Sequence, residues 1–547
     1  MCGIAAVLGS AAAVASPACV QLQRDMEAAI ARRGPDHFGS IERSKNGAAV
    51  VLSAAVLHLR GATMATQPVL DASGSVLLWN GEVFGGLSIP ACSSDTAVVA
   101  QVLFDATRAD TDPALVAAHV IEALASVEGP FALCFFHEAT ETLVYGRDRL
   151  GRRSLLEHMP SSPDDVAVIA SIAHPTMVCK EIPCTGLFYY NDGMASPGLA
   201  PWPPSVPAVA PPQTLPAALD ALAFDDALSL SMQRAAKGLL SVLYSAVAIR
   251  LESVPSCNHN EPSVGILFSG GLDSVVLAAL AHHALPPHEP LELYNVCFDT
   301  AHASPDRKAA VVSWNELRRL FPTRDFRLVE MDIDGQSVTA AQPDVVACMQ
   351  PCVTHMDFNI GTAFWFLARG VGCLAVTPHD MSPHSAPRPP YASNVKVLLV
   401  GIGADEQLAG YGRHKAAFER DGYDGLRAEL RMDMDRLWLR NLGRDDRMIS
   451  DHGREARFPY LDEHVVNFLA ATPLDDVVDF SQPRGVGDKL LLRVVARGLG
   501  LRHCTGLPKQ AIQFGTRMAK HSNATARAPR LVQGATPFLP AKRSSAG

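Results

Sequence analysis

The chain predicts two unlike halves: an α+β half of stacked antiparallel β-sheets with flanking helices, followed by an α/β half built on a parallel sheet. Three observations carry this. Short apolar or alternating runs between turn residues recur up to Asp192. A Pro-rich stretch from Ser196 to Pro216 then excludes regular helix. Beyond it, apolar strand-length runs are separated by long helical stretches, the pattern of a parallel sheet covered on both faces.

Ile4 to Val20 is apolar and Ala-rich, but Gly9-Ser10 breaks it after a strand's length and no basic residue precedes Arg24, so it reads as a strand and not as a signal peptide. Ala49 to Leu52, Val76 to Trp79, Phe131 to Phe136, Leu143 to Gly146 and Val166 to Ser171 supply further strands. Pro201-Trp202-Pro203-Pro204 and Pro211-Pro212 mark a linker over 193–218. Val264 to Phe268, Leu291 to Phe298 and Val395 to Val400 are buried-type strands, and Ser274 to His283 is one of the helices between them. The expected division is 2–192, linker 193–218, 219–520, and a tail over 521–547 whose Ala, Arg, Pro and Ser lack periodicity and predict disorder.

The 547 residues are 48% hydrophobic and 19% charged with a formal net charge of −9, which describes a globular chain with no large cationic surface. Nucleic acid is therefore not an expected partner. No run approaches the ~18 apolar residues of a membrane span, so no membrane is expected either. The 12 cysteines are scattered; Cys348 and Cys352 have no second His/Cys pair nearby, and reduced thiols in a cytoplasmic protein are the simplest reading.

Cys2 becomes the first residue once Met1 is trimmed, which sets a thiol beside a free α-amine that can serve as its base. Acyl transfer from an amide also needs oxyanion donors and a grip on the substrate's charged ends. Trp79-Asn80-Gly81-Glu82-Val83-Phe84 offers the Asn80 side chain and the Gly81 N–H for the oxyanion. Asp95, in Ser94-Asp95-Thr96, can hold an ammonium group. Alone, Asn80-Gly81 reads as a hairpin turn and Asp95 as a helix N-cap. Their order after a second-position cysteine favours chemistry. The series resembles the class II, N-terminal-nucleophile glutamine amidotransferases, which implies glutamine hydrolysis and an N-terminal-nucleophile type of stacked-sheet fold. That family places an arginine eleven residues before a Gln-Pro pair; counting back from Gln67-Pro68 gives Val56, and Arg60 is the candidate for the glutamine carboxylate, with Glu82 beside it as a further substrate contact.

In the second half, Ser269-Gly270-Gly271-Leu272-Asp273-Ser274 follows an apolar strand and opens a helix, so its backbone N–H groups suit phosphate. It lacks the Gly-Lys-Ser/Thr ending of a Walker loop. A second strand ends in Gly401-Ile402-Gly403-Ala404-Asp405-Glu406, which brings Asp405 to the same sheet edge; Asp273 and Asp405 are candidate ligands for Mg²⁺ on pyrophosphate. Lys489 is the candidate cation for the phosphates, and Leu267 and Val296, at strand ends, are candidates for framing adenine.

The loop resembles the PP-loop of ATP pyrophosphatases, which implies ATP cleavage between the α and β phosphates. With Gly453-Arg454-Glu455-Ala456-Arg457-Phe458-Pro459-Tyr460-Leu461-Asp462, the half is similar to the synthetase domain of glutamine-hydrolysing asparagine synthetases. Through Ser53-Ala54-Ala55-Val56-Leu57-His58-Leu59-Arg60-Gly61, Gly401-Ile402-Gly403-Ala404-Asp405-Glu406-Gln407-Leu408-Ala409-Gly410-Tyr411 and Arg440-Asn441-Leu442-Gly443-Arg444-Asp445-Asp446-Arg447, the chain resembles the asparagine synthetase domain-containing protein 1 group in particular. The resemblance implies glutamine, ATP and a small carboxylate as substrates, with aspartate the first candidate. Two departures bear on that acceptor. Ile402 stands where asparagine synthetases have a carboxylate, and Met356-Asp357-Phe358-Asn359 stands where they have a Thr-Thr-Ile-Arg segment, so that Asp357 is expected to repel an aspartate carboxylate. The same mechanism on another carboxylate, and an ATP-binding scaffold without catalysis, are the alternatives.

Overall fold

In the computed structural model, residues 2–61, 63–90, 93–204, 214–255, 260–376, 388–525 and 536–538 are described. Two six-stranded sheets, antiparallel throughout, form the first half. One runs Lys180–Glu181, Leu156–His158, Ala167–Ala170, Cys2–Ser10, Ala48–Val56, His37–Lys45; the other runs Gly198–Pro201, Gly186–Tyr190, Thr142–Arg147, Phe131–His137, Val76–Gly81, Val69–Leu70.

The period-two rule explains why the first strand is apolar at nearly every position. Ile4, Ala6 and Leu8 face the second sheet, packing with Leu78, Cys134 and Tyr145, while Ala5 and Val7 face Met26 and Ile30 of the helix Pro17–Arg33. Val76 and Leu78 likewise point between the sheets, and Leu77 and Trp79 point outward onto Val99 and Leu103 of the helix Asp95–Thr107. The result is four layers, helix, sheet, sheet, helix. Gly3 is needed for the close approach of the outer helix: a Cβ there would lie 2.6 Å from Cβ of Ile30.

A seven-stranded sheet organises the second half, in the order Pro390–Ala392, Val371–Leu374, Phe326–Asp332, Leu291–Cys297, Val264–Leu267, Val397–Leu399, Glu455–Arg457. The last five are parallel, as expected, and the first two add an antiparallel edge. Alternate residues again feed two cores: Leu291 and Leu293 face one side, Tyr294 and Val296 the other. The strand ends at 267 and 399 therefore open on the same edge, where the glycine-rich loops lie.

Two expected boundaries need correction. Gly198–Pro201 is a strand paired with Gly186–Tyr190, and Trp202 packs edge-on to Phe131, so part of the expected linker belongs to the second sheet. Proline is tolerated there because the strand is at the edge; Pro211-Pro212 lies outside the described residues. In the expected tail, the helix Met518–Thr525 continues into it, and Phe538 stacks on Phe358 with ring centroids 4.2 Å apart while the His355 N–H donates to the Thr536 carbonyl at 2.9 Å. A single aromatic residue with a ready ring partner anchors that segment without any periodicity. Among the described residues no helix is long and apolar enough to cross a membrane.

Candidate active sites

Asn80 and Gly81 end the strand Val76–Gly81 and do not form a hairpin turn. The strand runs beside the N-terminus, and Asn80 Oδ1 accepts from the Cys2 backbone N–H at 2.8 Å. Asn80 Nδ2 is buried with no partner among the described residues, a donor held ready beside the thiol. Gln67 fixes this arrangement. Its Oε1 accepts from Trp79 N at 2.7 Å, and its Nε2 donates to the Trp79 carbonyl at 2.9 Å and lies 3.4 Å from Cys2 Sγ. Sequence reasoning used Gln67 only as a counting mark. Burial pushes the Cys2 thiol up.

Glu82, Asp95 and Arg60 do come together. Asp95 is the first residue of its helix, capped by Ser94, and its carboxylate accepts from the N–H groups of Val83 at 3.0 Å and Thr96 at 2.7 Å. Arg60 donates to the Val83 carbonyl at 2.6 Å and stands 3.9 Å from Glu82. Burial, with the Asp95 charge added, pushes the Glu82 carboxyl up to about 8, and burial also raises Asp95. An acid pair beside one half-buried arginine can bind both ends of an amino acid.

The second site forms at the strand ends of the parallel sheet. Gly270 has φ +76° and Gly271 precedes the helix Leu272–Ala284 without a side-chain cap, which leaves that helix's first N–H groups to a ligand. Ser269 Oγ accepts from Gly271 N at 3.2 Å, and Ser274 Oγ donates to the Gly271 carbonyl at 3.1 Å. Lys489 is nearly fully buried, with Nζ 2.7 Å from Asp273 and 2.5 Å from Asp405; Lys509 pairs with the other oxygen of Asp405. Lys489 and Lys509 hold the Asp405 carboxyl below the ordinary range against its burial. Both carboxylates meet one ammonium, so they converge on one point.

Two adjoining cavities share Ser269, Asp273, Asp306, Lys509 and Gln510. One is bordered by Lys308, Lys489, Arg493 and Lys509, the other by Leu267, Val296, Gly401, Ile402 and Asp405. Lys509 and Asp306 were missed from sequence: Pro508-Lys509-Gln510 carries no phosphate-loop pattern, and Asp306 reads as an ordinary first-turn acid after the N-cap Ser304. Burial pushes Asp306 up to about 7, offset in part by Lys509.

Asp357 differs from its expected role. Its carboxylate caps its own helix through Thr354 and pairs with Arg444 at 2.6 Å, so it is neutralised and not a free repelling charge. Asn359 Oδ1 accepts from Ser522 Oγ at 2.6 Å.

A buried ionic chain joins the two halves. Arg457 on the last parallel strand pairs with Glu455 at 2.7 Å and reaches Glu82 at 3.6 Å; Arg153 pairs with Glu455 at 3.1 Å, and Arg33 with Asp446 at 2.7 Å. The Arg457 carbonyl accepts from Val400 N at 2.9 Å, so the residue beside the glutamine-type site is one strand from the Gly401 to Asp405 loop.

Stacked antiparallel sheets that begin at Cys2, joined to a parallel sheet with a glycine-rich loop at its strand ends, are the architecture of an amidotransferase domain linked to an ATP-pyrophosphatase-type domain. Residues 1–178 match the model of a glutamine amidotransferase domain, and residues 239–358 and 418–528 match asparagine synthase. Asparagine synthetase domain-containing protein 1 of Bos taurus is 32% identical over 91% of this chain and 93% of its own length, and that of Homo sapiens is 32% identical over 95% of each. A Saccharomyces cerevisiae asparagine synthetase domain-containing protein is 31% identical over 90% of this chain and 87% of its own. The chain belongs to the asparagine synthetase domain-containing protein family.

Proposed function

We propose that the protein is a glutamine-hydrolysing amide synthetase with two active sites, using glutamine, ATP and a small carboxylate. The observation that carries this is the Cys2–Asn80 pair with its free Nδ2 donor, tied through Glu82 and Arg457 to the sheet bearing the phosphate loop.

With Met1 removed, the hydrogen bond that Asn80 Oδ1 now accepts from Cys2 N would hold the α-amine as the base for the thiol. Cys2 Sγ attacks the glutamine amide carbon, the Asn80 Nδ2 and the Gly81 N–H receive the oxyanion, and the C–N bond breaks as the amine proton passes to leaving ammonia. Water then hydrolyses the thioester to glutamate. Arg60 pairs the glutamine carboxylate and Asp95 its ammonium, with the Glu82 carboxyl, pushed up to about 8, adding an oxygen acceptor. In the second site a carboxylate oxygen attacks the α-phosphorus of ATP and pyrophosphate leaves. Ammonia, passed inside the protein, attacks the acyl carbon; AMP leaves and a proton is lost. Ser269, Gly270, Gly271 and Ser274 seat the phosphates, Lys489 balances their charge, and Leu267, Val296 and Gly401 border the nucleoside. Asp273 and Asp405 are hard oxygen donors on either side of the Lys489 ammonium; with that ammonium turned to the phosphates they would hold Mg²⁺, which would neutralise charge on the leaving pyrophosphate.

Aspartate is the acceptor the family resemblance implies and is the reference substrate. A cytoplasmic location fits the free thiols of the described cysteines. The test is AMP and pyrophosphate formation with glutamine or ammonia as nitrogen donor. Cys2→Ala is expected to lose glutamine-dependent turnover and keep the ammonia-dependent reaction; loss of neither, or of both in a folded variant, would contradict the two-site reading.

A further inference from the structure

One wall of the acceptor end of the cavity is apolar. Val400 and Ile402, leaving the strand Val397–Leu399, face Ile360 and Phe364 of the helix His355–Arg369 across the same cavity that Ser269 and Asp273 border. Beyond Lys509 at the phosphate end, the cation lining it is Arg444, and this guanidinium is already engaged: Nη1 pairs with Asp357 at 2.6 Å and Nε with Asp445 at 2.8 Å. Asn359, on the same helix, spends its carbonyl oxygen on Ser522. A second carboxylate brought here would meet Asp357 and Asp445 around the one arginine, with no counter-charge of its own. An ammonium fares no better. Glu406, which lines the same cavity, has both oxygens engaged, accepting from the Tyr411 hydroxyl at 2.6 Å and from the Gly403 N–H at 3.1 Å. Arg444 Nη2 is buried without a partner among the described residues, which leaves one donor for an uncharged oxygen.

We infer that the acceptor is a carboxylic acid whose body beyond the reacting carboxylate is apolar and uncharged, held against Ile402, Ile360 and Phe364, and that aspartate is selected against. This rests on the proposed ATP-dependent activation of a carboxylate. The activation step is unchanged: the single carboxylate oxygen bonds to the α-phosphorus and pyrophosphate departs.

Binding of three stable adenylate mimics to the full chain tests it: sulfamoyladenosine itself, its isocaproyl derivative, and its derivative acylated through the β-carboxyl of aspartate. The isocaproyl compound is expected to bind at least ~ten-fold tighter than the aspartyl one, because a buried unpaired charge costs more than the ~1.4 kcal/mol that a factor of ten requires. Ile402→Gln, checked for folding by its unchanged affinity for sulfamoyladenosine, is expected to cut that ratio at least ~three-fold, the effect of replacing an apolar wall by one that hydrogen-bonds. Tighter aspartyl binding, equal binding of all three mimics, or an unchanged ratio in Ile402→Gln would each overturn the inference while leaving the nucleotide site standing. Failure of every mimic and of ATP to bind would instead remove the activation reading on which it rests.

Discussion

Replacing Arg457 by methionine removes the cation between the halves while keeping an unbranched side chain of similar length. Arg457 is 1% exposed, with Nε 2.7 Å from Glu455, Nη2 3.6 Å from Glu82 and Nη1 2.7 Å from Ser253 Oγ. At an effective dielectric constant of ~20 the Glu455 contact amounts to roughly 6 kcal/mol of attraction, while Glu82, its carboxyl pushed up to about 8 by burial, adds a weaker contact at neutral pH. Most of that is offset by the cost of burying the guanidinium, and deleting one member of such a pair costs about 3–5 kcal/mol net because Glu455 stays buried with one cation fewer. Urea unfolding followed by tryptophan fluorescence reads this, since Trp79 and Trp202 report the first half and Trp314, Trp365 and Trp438 the second. A midpoint lowered by ~1 M or more is expected for a slope of about 3 kcal/mol/M. Glu455→Gln added to Arg457→Met should recover little of the loss, because buried Arg153, 3.1 Å from Glu455, then loses that partner. A midpoint shift under ~0.3 M would refute the claim that this chain of charges holds the halves together.

Other outcomes follow from individual groups. The folded Glu82 carboxyl is raised to about 8 from 4.5, so the folded state keeps a proton the unfolded chain releases; its contribution is full below the unfolded value and is lost as pH rises towards about 8. Glu82→Gln should therefore flatten the decline of the thermal midpoint across that window, and an unaltered slope would contradict the assignment. Asp306, raised to about 7, gains negative charge in the cavity as pH rises through that value, so the KM for ATP should climb above neutrality and Asp306→Asn should abolish the climb. Gly270→Ala places a Cβ 2.2 Å from Ala310 N in a backbone already at φ +76°, and should raise the KM for ATP at least ~ten-fold through movement of the loop; an unaltered KM would show that the loop does not seat the nucleotide.

Much of this was legible because local chemistry and tertiary placement agree. Ser269 to Ser274 must follow a strand and open a helix to work, and they do. Asn80-Gly81 and Asp95 each resemble common turn or cap signals, and only their order after Cys2 pointed to a shared site; the structure places Asn80 against Cys2 and Asp95 against Val83. The parallel sheet was legible from the unbroken apolar runs, whereas the antiparallel strands Val371–Leu374 and Pro390–Ala392 were not, because they are only four and three residues long and largely half-buried or exposed. Gly198–Pro201 was hidden by its prolines. Lys509, Asp306 and the Arg457–Glu82 contact were invisible for another reason: they depend on chain segments brought together only by folding, and a lone lysine or aspartate carries no spacing signal.

The central claim is that nitrogen passes from Cys2's site to a carboxylate activated in the other half. Turnover of amide-¹⁵N glutamine with Mg-ATP and a mixture of carboxylates, in excess unlabelled ammonium, tests it most directly by mass analysis of the amide formed. AMP and pyrophosphate are expected in step with glutamate, together with an amide that carries ¹⁵N despite the unlabelled pool. An amide that takes its nitrogen from the solution, or glutamate released with no AMP under any acceptor, would contradict it.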